Sequence, residues 1–578
     1  MPALPMIATS ACACIALACC QASPAQGSPP DAIRVGALSA PRDPKVAIVV
    51  SDGKLVGERF SVRRLGGGIV LRGRLERTHG SPSPWRHAAR ADLSRVNRPG
   101  SYRIRVGRLH SAPWRVSTSA RRAMILRLLA IFRVNADGNE PNPVFGPAHL
   151  NDSMAPIVGG PTEGGTIDVS GGWRDAGDAV KFTVTTAMAS ALLDYTAELD
   201  PADAAKLHTV SDIGVRWLEK THPAGSDTFV AQVSGVSDHK GATFRDYSRD
   251  DASPNPAFSH RKAYGEAGSG TLGAAAAALA SGSLREGPAT ARGSALLQRA
   301  QEWFARGKAV SAAGPRLEGL DQAGGMPFTD WQSFMALASV LLWRAGGDEA
   351  YLNDAARYMS KAPVETGFSS YFSVGGLAAA DMCGGMGRPA VPREDLRSLA
   401  CRKLIEAVRA SRIRAASNAF HSPGGFNFGW VADHTGSAAI EAAADRANVV
   451  SGGFRRAYEA RDYLLGRNPW GAGFVVGPTG SEAHHPHHPV VLKGSPARLG
   501  KGLVVGGPAD RSEFTGFELR PRARSAFAPF NPTYDRERYG GDPIVYEDRT
   551  ADFITSEPSI GYSGPALLLL SQLDTGGG

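Results

Sequence analysis

The residues best suited to chemistry are Gly171-Gly172-Trp173-Arg174-Asp175-Ala176-Gly177-Asp178. Two carboxylates stand three residues apart, just ahead of a segment with helical periodicity. Paired glycines open backbone conformations that other residues avoid, so the turn can aim both acids one way. Carboxyl groups are among the side chains that do general acid–base work. The plainer reading is helix capping, because Asp at a helix start accepts backbone N–H bonds. A calcium loop would need a longer run of alternating oxygen ligands than this segment has.

A second acidic segment lies near the C-terminus: Tyr546-Glu547-Asp548, then Asp552-Phe553-Ile554-Thr555-Ser556-Glu557-Pro558 and Tyr562. A carboxyl between aromatic walls can keep its proton at neutral pH, since burial disfavours the charged form. A solvated acidic loop is the plain alternative. A third segment runs Tyr463-Leu464-Leu465-Gly466-Arg467-Asn468-Pro469-Trp470-Gly471, followed by His484-His485-Pro486-His487-His488. Clustered histidines can ligate a metal. On a proline-broken loop without Cys or carboxylate partners at fixed spacing, they can equally meet sugar hydroxyls or loop carbonyls.

The elements that must position these segments fall into two regions. Residues 31–118 read as short strands: Val46-Ala47-Ile48-Val49-Val50 ends at the turn pair Asp52-Gly53, and Tyr102, Ile104 and Val106 alternate with arginines. About seven strands in so short a span predict a small β-sandwich of immunoglobulin type. From residue 119 the period becomes helical. Val184, Met188, Ala191, Leu192, Tyr195 and Leu199 mark one buried face, and Trp331, Phe334, Met335, Ala338, Leu341 and Leu342 another. Further helices are expected near 121–133, 205–219, 271–281, 295–307, 349–360, 394–410 and 561–573. One long helix is expected over 437–465, ended by Gly466. Many helices and few strands predict an all-α domain over 119–578, closed as a ring of helix pairs with a cleft among the loops at one end.

The 578 residues, 43% hydrophobic and 21% charged, describe a folded protein with more than one core. Residues 31–118 carry 18 Lys/Arg against 6 Asp/Glu, whereas the remainder is nearly balanced. The arginines are scattered through strands without a dense block, so a solvated basic face, or attraction to anionic polymers or a cell surface, is expected rather than nucleic-acid binding. Four cysteines, Cys12, Cys14, Cys19 and Cys20, lie in the first 20 residues. Cys383 and Cys401 are bridged or free with equal plausibility. Residues 1–30 read as an export signal and linker, and Leu17-Ala18-Cys19-Cys20 is similar to a lipobox, with a lipid anchor at Cys19 or Cys20. No apolar run reaches the roughly 20 residues a membrane span needs. A secreted, periplasmic or cell-surface monomer is the default expectation.

Taken together, the three motif segments resemble glycoside hydrolase family 9, an inverting cellulase family, in its form with an N-terminal immunoglobulin-like domain. Gly171 to Asp178 reproduces the family's GGW-x-DAGD; Tyr463 to His488 follows its YxLGxNP and PHH order; Leu503-Val504-Val505-Gly506-Gly507-Pro508 is similar to its LVGGP; and Tyr546, Asp548, Phe553 and Glu557 keep its C-terminal spacing. The resemblance implies an (α/α)6 barrel acting on a polysaccharide or oligosaccharide. It implies that Asp178 is the catalytic base, Asp175 its helper and Glu557 the general acid. His487 and Asp548, and less directly His239 and Trp430, fall where the family places substrate-side residues; Trp430 is equally a core residue. No cofactor is implied for the chemistry, and a structural calcium ion stays open. Inversion requires one ionised and one protonated carboxyl about 6.5–9.5 Å apart, with water between. The expected activity is internal cleavage of β-1,4-glucan. Removal of terminal sugars from glucosamine-containing oligosaccharides, or polysaccharide binding without catalysis, are the alternatives. Three positions depart from the family: Pro489 follows the histidines where Arg is usual, Ser563 replaces Asn, and Ala179 follows Asp178.

Overall fold

The computed structural model describes residues 30–235, 238–239, 244–310, 330–368, 373–477, 481–516, 537–538 and 543–573. The expected export signal and Cys19 and Cys20 lie outside them.

Ten strands form the first domain: β1 (Ala32–Arg34), β2 (Leu38–Ser39), β3 (Val46–Ser51), β4 (Arg59–Arg64), β5 (Ile69–Arg74), β6 (Glu76–Arg77), β7 (His87–Asp92), β8 (Gly100–Val106), β9 (Leu109–His110) and β10 (Trp114–Val116). One sheet has the order β1-β3-β7-β6 and the other β2-β10-β8-β4-β5, with β9 on β8. The period of two decides what fills the space between them. Ala47 and Val49 of β3 face Phe60 and Val62 of β4 and Tyr102, Ile104 and Val106 of β8, all buried in one core. The alternate β3 residues, Ile48 and Val50, join Trp85 in the core of the second domain instead. The sandwich therefore sits on the helices mainly through one sheet, with Leu38 of edge strand β2 joining from the other, whose remaining strands face outward.

Among the described residues, twelve helices of eight residues or more build the second domain: α1 (Ala120–Leu128), α2 (Thr183–Leu199), α3 (Ala204–Lys220), α4 (Ser269–Glu286), α5 (Ala291–Ala309), α6 (Trp331–Gly346), α7 (Ala350–Lys361), α8 (Gly375–Met382), α9 (Glu394–Ala416), α10 (Trp430–Arg446), α11 (Gly453–Leu464) and α12 (Ile560–Gln572). Helices α2, α4, α6, α8, α10 and α12 pack in that order into a closed ring, with α12 returning to α2. Outside them α3, α5, α7, α9, α11 and α1 each cover one ring helix. Composition sorts the layers. All 13 residues of α12 are buried, as are 15 of the 17 in α2, because a helix apolar on every side has no face to offer water. The outer α3 buries only a stripe, including Leu207, Val215, Trp217 and Leu218. Small residues let ring helices approach closely: a Cβ on Gly273 of α4 would stand 3.0 Å from Met335 of α6.

The single helix expected over 437–465 is two. Asn448 and Gly452 take positive φ, 58° and 79°. This left-handed turn carries the chain from ring helix α10 back along its outer partner α11. The helical period also hid a small sheet of order Thr166–Ile167, Ala155–Val158, Lys262–Gly265, Val230–Ser234, Lys181–Phe182. Its last strand leads straight into α2. Cys383 and Cys401 form a disulfide between the end of α8 and its cover α9.

Candidate active site

Ring neighbours α2 and α12 bring the two acidic segments together. Asp178 precedes α2 by a few residues and Glu557 precedes α12 by fewer still. The Ile560 N–H donates to the Asp175 carbonyl at 3.0 Å, which ties one helix start to the other. The Gly177 N–H donates to Glu557 Oε1 at 3.1 Å across 380 residues of sequence. Glu557 is itself fixed at both ends, since its carbonyl accepts from Gly506 N–H at 2.9 Å.

The glycines make this approach feasible. Gly171 and Gly172 have φ of 90° and 72°, and a Cβ on Gly172 would lie 2.5 Å from the Trp217 ring. At Gly177 a Cβ would fall 2.2 Å from the His487 carbonyl oxygen and 3.1 Å from Glu557 Oε1. Below the turn, Arg174 is fully buried, bonded to Asp137 at 3.0 Å and stacked 4.3 Å from the Tyr247 ring centre. Tyr247 donates its hydroxyl to the Gly177 carbonyl at 2.6 Å. Capping explains only part of Asp178: one carboxylate oxygen accepts from Val180 N–H at 3.1 Å. The other faces His239 Nε2 at 3.8 Å.

Burial and mutual repulsion set the proton affinities. Desolvation pushes Asp178 up to about 7; the His239 imidazole opposes this and Asp175 adds to it. Desolvation, then the charges of Asp178 and Asp175, hold Glu557 well above the ordinary carboxylate range. The His239 charge favours ionisation of both, but it is the largest influence after desolvation at Asp178 and ranks below the two acids at Glu557, so as a coupled pair the two keep a proton on Glu557 when Asp178 has lost its own. The site thus has an acid and a base poised against each other.

The remaining expected residues divide. His487 borders the pair: its Nδ1 donates to the Thr550 carbonyl at 2.6 Å, and burial lowers its pKa to about 4, so the ring is neutral. Phe244 and Phe553 flank it at 5.1 and 6.1 Å. Asp548, expected on the substrate side or in support of it, anchors a loop. Its carboxylate accepts the N–H groups of His484 and His485 at 2.8–3.0 Å, so it shapes the histidine loop. Trp430 takes the core position, one of its two expected alternatives. It is fully buried, stacked between Phe426 and His434, and its Nε1–H is used by the Gly424 carbonyl. His239 is half exposed beside Asp178, whereas its neighbour Asp238 is buried against Arg245 and Arg261.

The histidine cluster does not assemble a metal site. His488 is buried on Asn135 at 2.8 Å and Pro489 starts the next turn, so neighbouring histidines point to different partners. Among the described residues no group of three or more His, Cys, Asp or Glu is placed to hold a metal ion. The buried acids under the site are already matched by side-chain cations: Asp137 by Arg174 and Lys181, Asp152 by Lys181 and Arg261, Asp250 by Arg245 and His149. Sequence reasoning missed this network, along with Tyr247 and Phe244. Its members are scattered over more than a hundred residues and share no local pattern.

The chain matches the model of "Glycosyl hydrolase family 9" over residues 123–570 and that of "Cellulase N-terminal ig-like domain" over 33–111. Endoglucanase 13 of Arabidopsis thaliana is 29% identical over 210 residues, which is 35% of this chain and 40% of that protein's length. Among solved structures, a metagenome-derived glycoside hydrolase family 9 endoglucanase superposes with a TM-score of 0.76 at 21% identity, covering 94% of this chain and 98% of that one. A thermostable endoglucanase mutant from Alicyclobacillus acidocaldarius gives 0.74 at 21% identity, over 94% and 99%. With a sandwich seated on a closed double ring of helices, and the family model spanning nearly the whole ring, this chain belongs to glycosyl hydrolase family 9.

Proposed function

We propose that the protein hydrolyses β-1,4-linked glucan internally, with inversion at the anomeric carbon. The observation that carries this reading is the joining of Asp178 and Glu557 across Gly177, with the proton held on Glu557. Glu557 protonates the departing glycosidic oxygen. Asp178 takes a proton from water, which attacks the opposite face of the sugar, and Asp175 helps orient that water. The neutral His487, between Phe244 and Phe553, offers Nε2 and apolar ring edges to a sugar unit. His239 stands beside Asp178 on the exposed side. The known endoglucanases named above share the fold and support the glucan reading. Two carboxyl groups supply the proton transfers of these steps, and a monomer exported from the cell suits a polymeric substrate.

The test is hydrolysis of a defined cello-oligosaccharide followed by proton NMR, beside reducing-sugar release from carboxymethylcellulose. Initial appearance of the α-anomer, with a steep fall in polymer viscosity, is expected. Initial β-anomer would refute inversion. Activity confined to chain ends or to chitosan oligosaccharides would replace the substrate, and polysaccharide binding without release would remove the enzyme reading altogether.

A further inference from the structure

The outer sheet of the sandwich carries a feature that glycoside hydrolysis does not use. In β4, β5, β8 and β10 the inward residues are the core, and the outward rows read Arg59, Ser61, Arg63; Val70, Arg72, Arg74; Ser101, Arg103, Arg105; and Arg115. All seven arginines are exposed. Register sets several side by side. Arg59 pairs with Arg74 and Arg63 with Arg103, while Ser61 lies between Arg72 and Arg105. Like charges directly opposite destabilise a sheet. Among the described residues none of the seven forms an ion pair with a carboxylate. Three of the domain's six acids are engaged elsewhere: Glu76 meets Arg90 on the other sheet, Asp43 meets Arg461 at the domain joint, and Asp31 takes the Ser51 hydroxyl. Backbone carbonyls steady two of the guanidinium groups, Arg74 on Gly57 at 2.7 Å and Arg105 on Gly107 at 2.8 Å.

The face also has an apolar border. Leu65, Ile69 and Val70, at the β4–β5 hairpin, are 43%, 39% and 50% exposed. Strand β5 ends its sheet and has no neighbour beyond it. The outward rows contain no aromatic residue, so they offer no stacking platform for a neutral sugar or an unpaired base. Guanidinium rows beside protruding aliphatic side chains suit a surface with phosphate at one depth and hydrocarbon just below. The face lies opposite the sheet that seats on the barrel, so contact there leaves the catalytic loops uncovered.

We propose that this arginine-paved sheet face docks the protein on a membrane surface of anionic phospholipid, with Leu65, Ile69 and Val70 entering the headgroup layer. The inference is independent of the glucan reading.

The test uses the full chain carrying Cys19→Ser and Cys20→Ser, so that no acyl chain can be attached. It is sedimented with phosphatidylcholine vesicles with and without phosphatidylglycerol. Binding is expected only with phosphatidylglycerol, and to disappear at about 1 M salt, where screening acts within roughly 3 Å. Joint substitution R63E, R72E, R103E and R105E is expected to weaken partition by about tenfold or more. Leu65→Ser with Val70→Ser is expected to weaken it by less. The same four positions changed to Gln serve if the reversed set unfolds, with an unchanged melting temperature as the control. Absence of vesicle binding, or equal binding by the Gln set, overturns the proposal. Retention on polygalacturonate or duplex DNA through these arginines, without vesicle binding, overturns it in favour of a different polyanion.

Discussion

Glu557 and Asp178 show how one residue type takes opposite roles. Both are carboxylates held at poorly solvated positions, yet the His239 imidazole acts more strongly on Asp178 than on Glu557, so the proton stays on Glu557. Glu557→Gln should lower turnover on polymeric glucan by about 10²–10⁴, measured as reducing-sugar release. The same change should raise the melting temperature near pH 7. The folded state binds a proton on Glu557 that the unfolded chain has released above its ordinary pKa, so stability falls as pH rises through that window. Gln removes this penalty, and the gain should vanish near pH 4, where both states are protonated. No stabilisation at pH 7 would mean that Glu557 is not held neutral. On the proposed mechanism Asp178 is the base and sets the acid side of the pH profile. With Asp178 at about 7, kcat/KM should decline as pH drops below neutrality. Replacing His239 by Gln should move that decline to higher pH, because its charge favours the ionised Asp178; an unmoved limb would remove His239 from this role.

At the scale of elements, two adjoining ring helices turn distant segments into neighbours, and a glycine sets how close they come. Gly177→Ala would drive its Cβ to 2.2 Å from the His487 carbonyl oxygen, an atom that cannot swing away as a side chain can. The turn must then shift, with a stability loss of about 1–3 kcal/mol. The kcat should fall well beyond that loss, because Asp178, Glu557 and His487 all lean on this contact. Denaturant titration beside steady-state kinetics separates the two, and wild-type kcat would show that the turn tolerates the displacement.

At the scale of the molecule, the sandwich is part of the barrel's stability. Ile48, Val50 and Trp85 extend the helical core, and Arg461 of α11 is buried between Asp43 of the sandwich and Asp462 of the barrel. Arg461→Ala leaves those two acids buried without their shared cation and should cost about 3–5 kcal/mol. Because the pair bridges the domains, calorimetry should also show two unfolding transitions where the parent shows one. A single transition at the parent temperature would mean that the joint rests on its apolar contacts alone.

The motifs point to the family because they are local: a diglycine turn, an acid pair, an aromatic-flanked Glu and a histidine loop each fit within a few residues. Periodicity likewise revealed the sandwich and most helices, since alternation and the 3.6-residue repeat are properties of short windows. It failed where a turn interrupts apolar composition, as at Asn448–Gly452, and where short strands hide among loops, as at Val230–Ser234. Trp430 and Asp548 could not be placed from sequence, because a buried stacking partner and a loop anchor look the same as sugar contacts in a linear motif. The proton order within the acid pair, the Arg–Asp network beneath it and the arginine rows of the outer sheet belong to tertiary structure alone. The first two depend on distance and solvent exclusion between segments that only the folded chain brings together, and the third on the strand register that sets exposed arginines of different strands side by side.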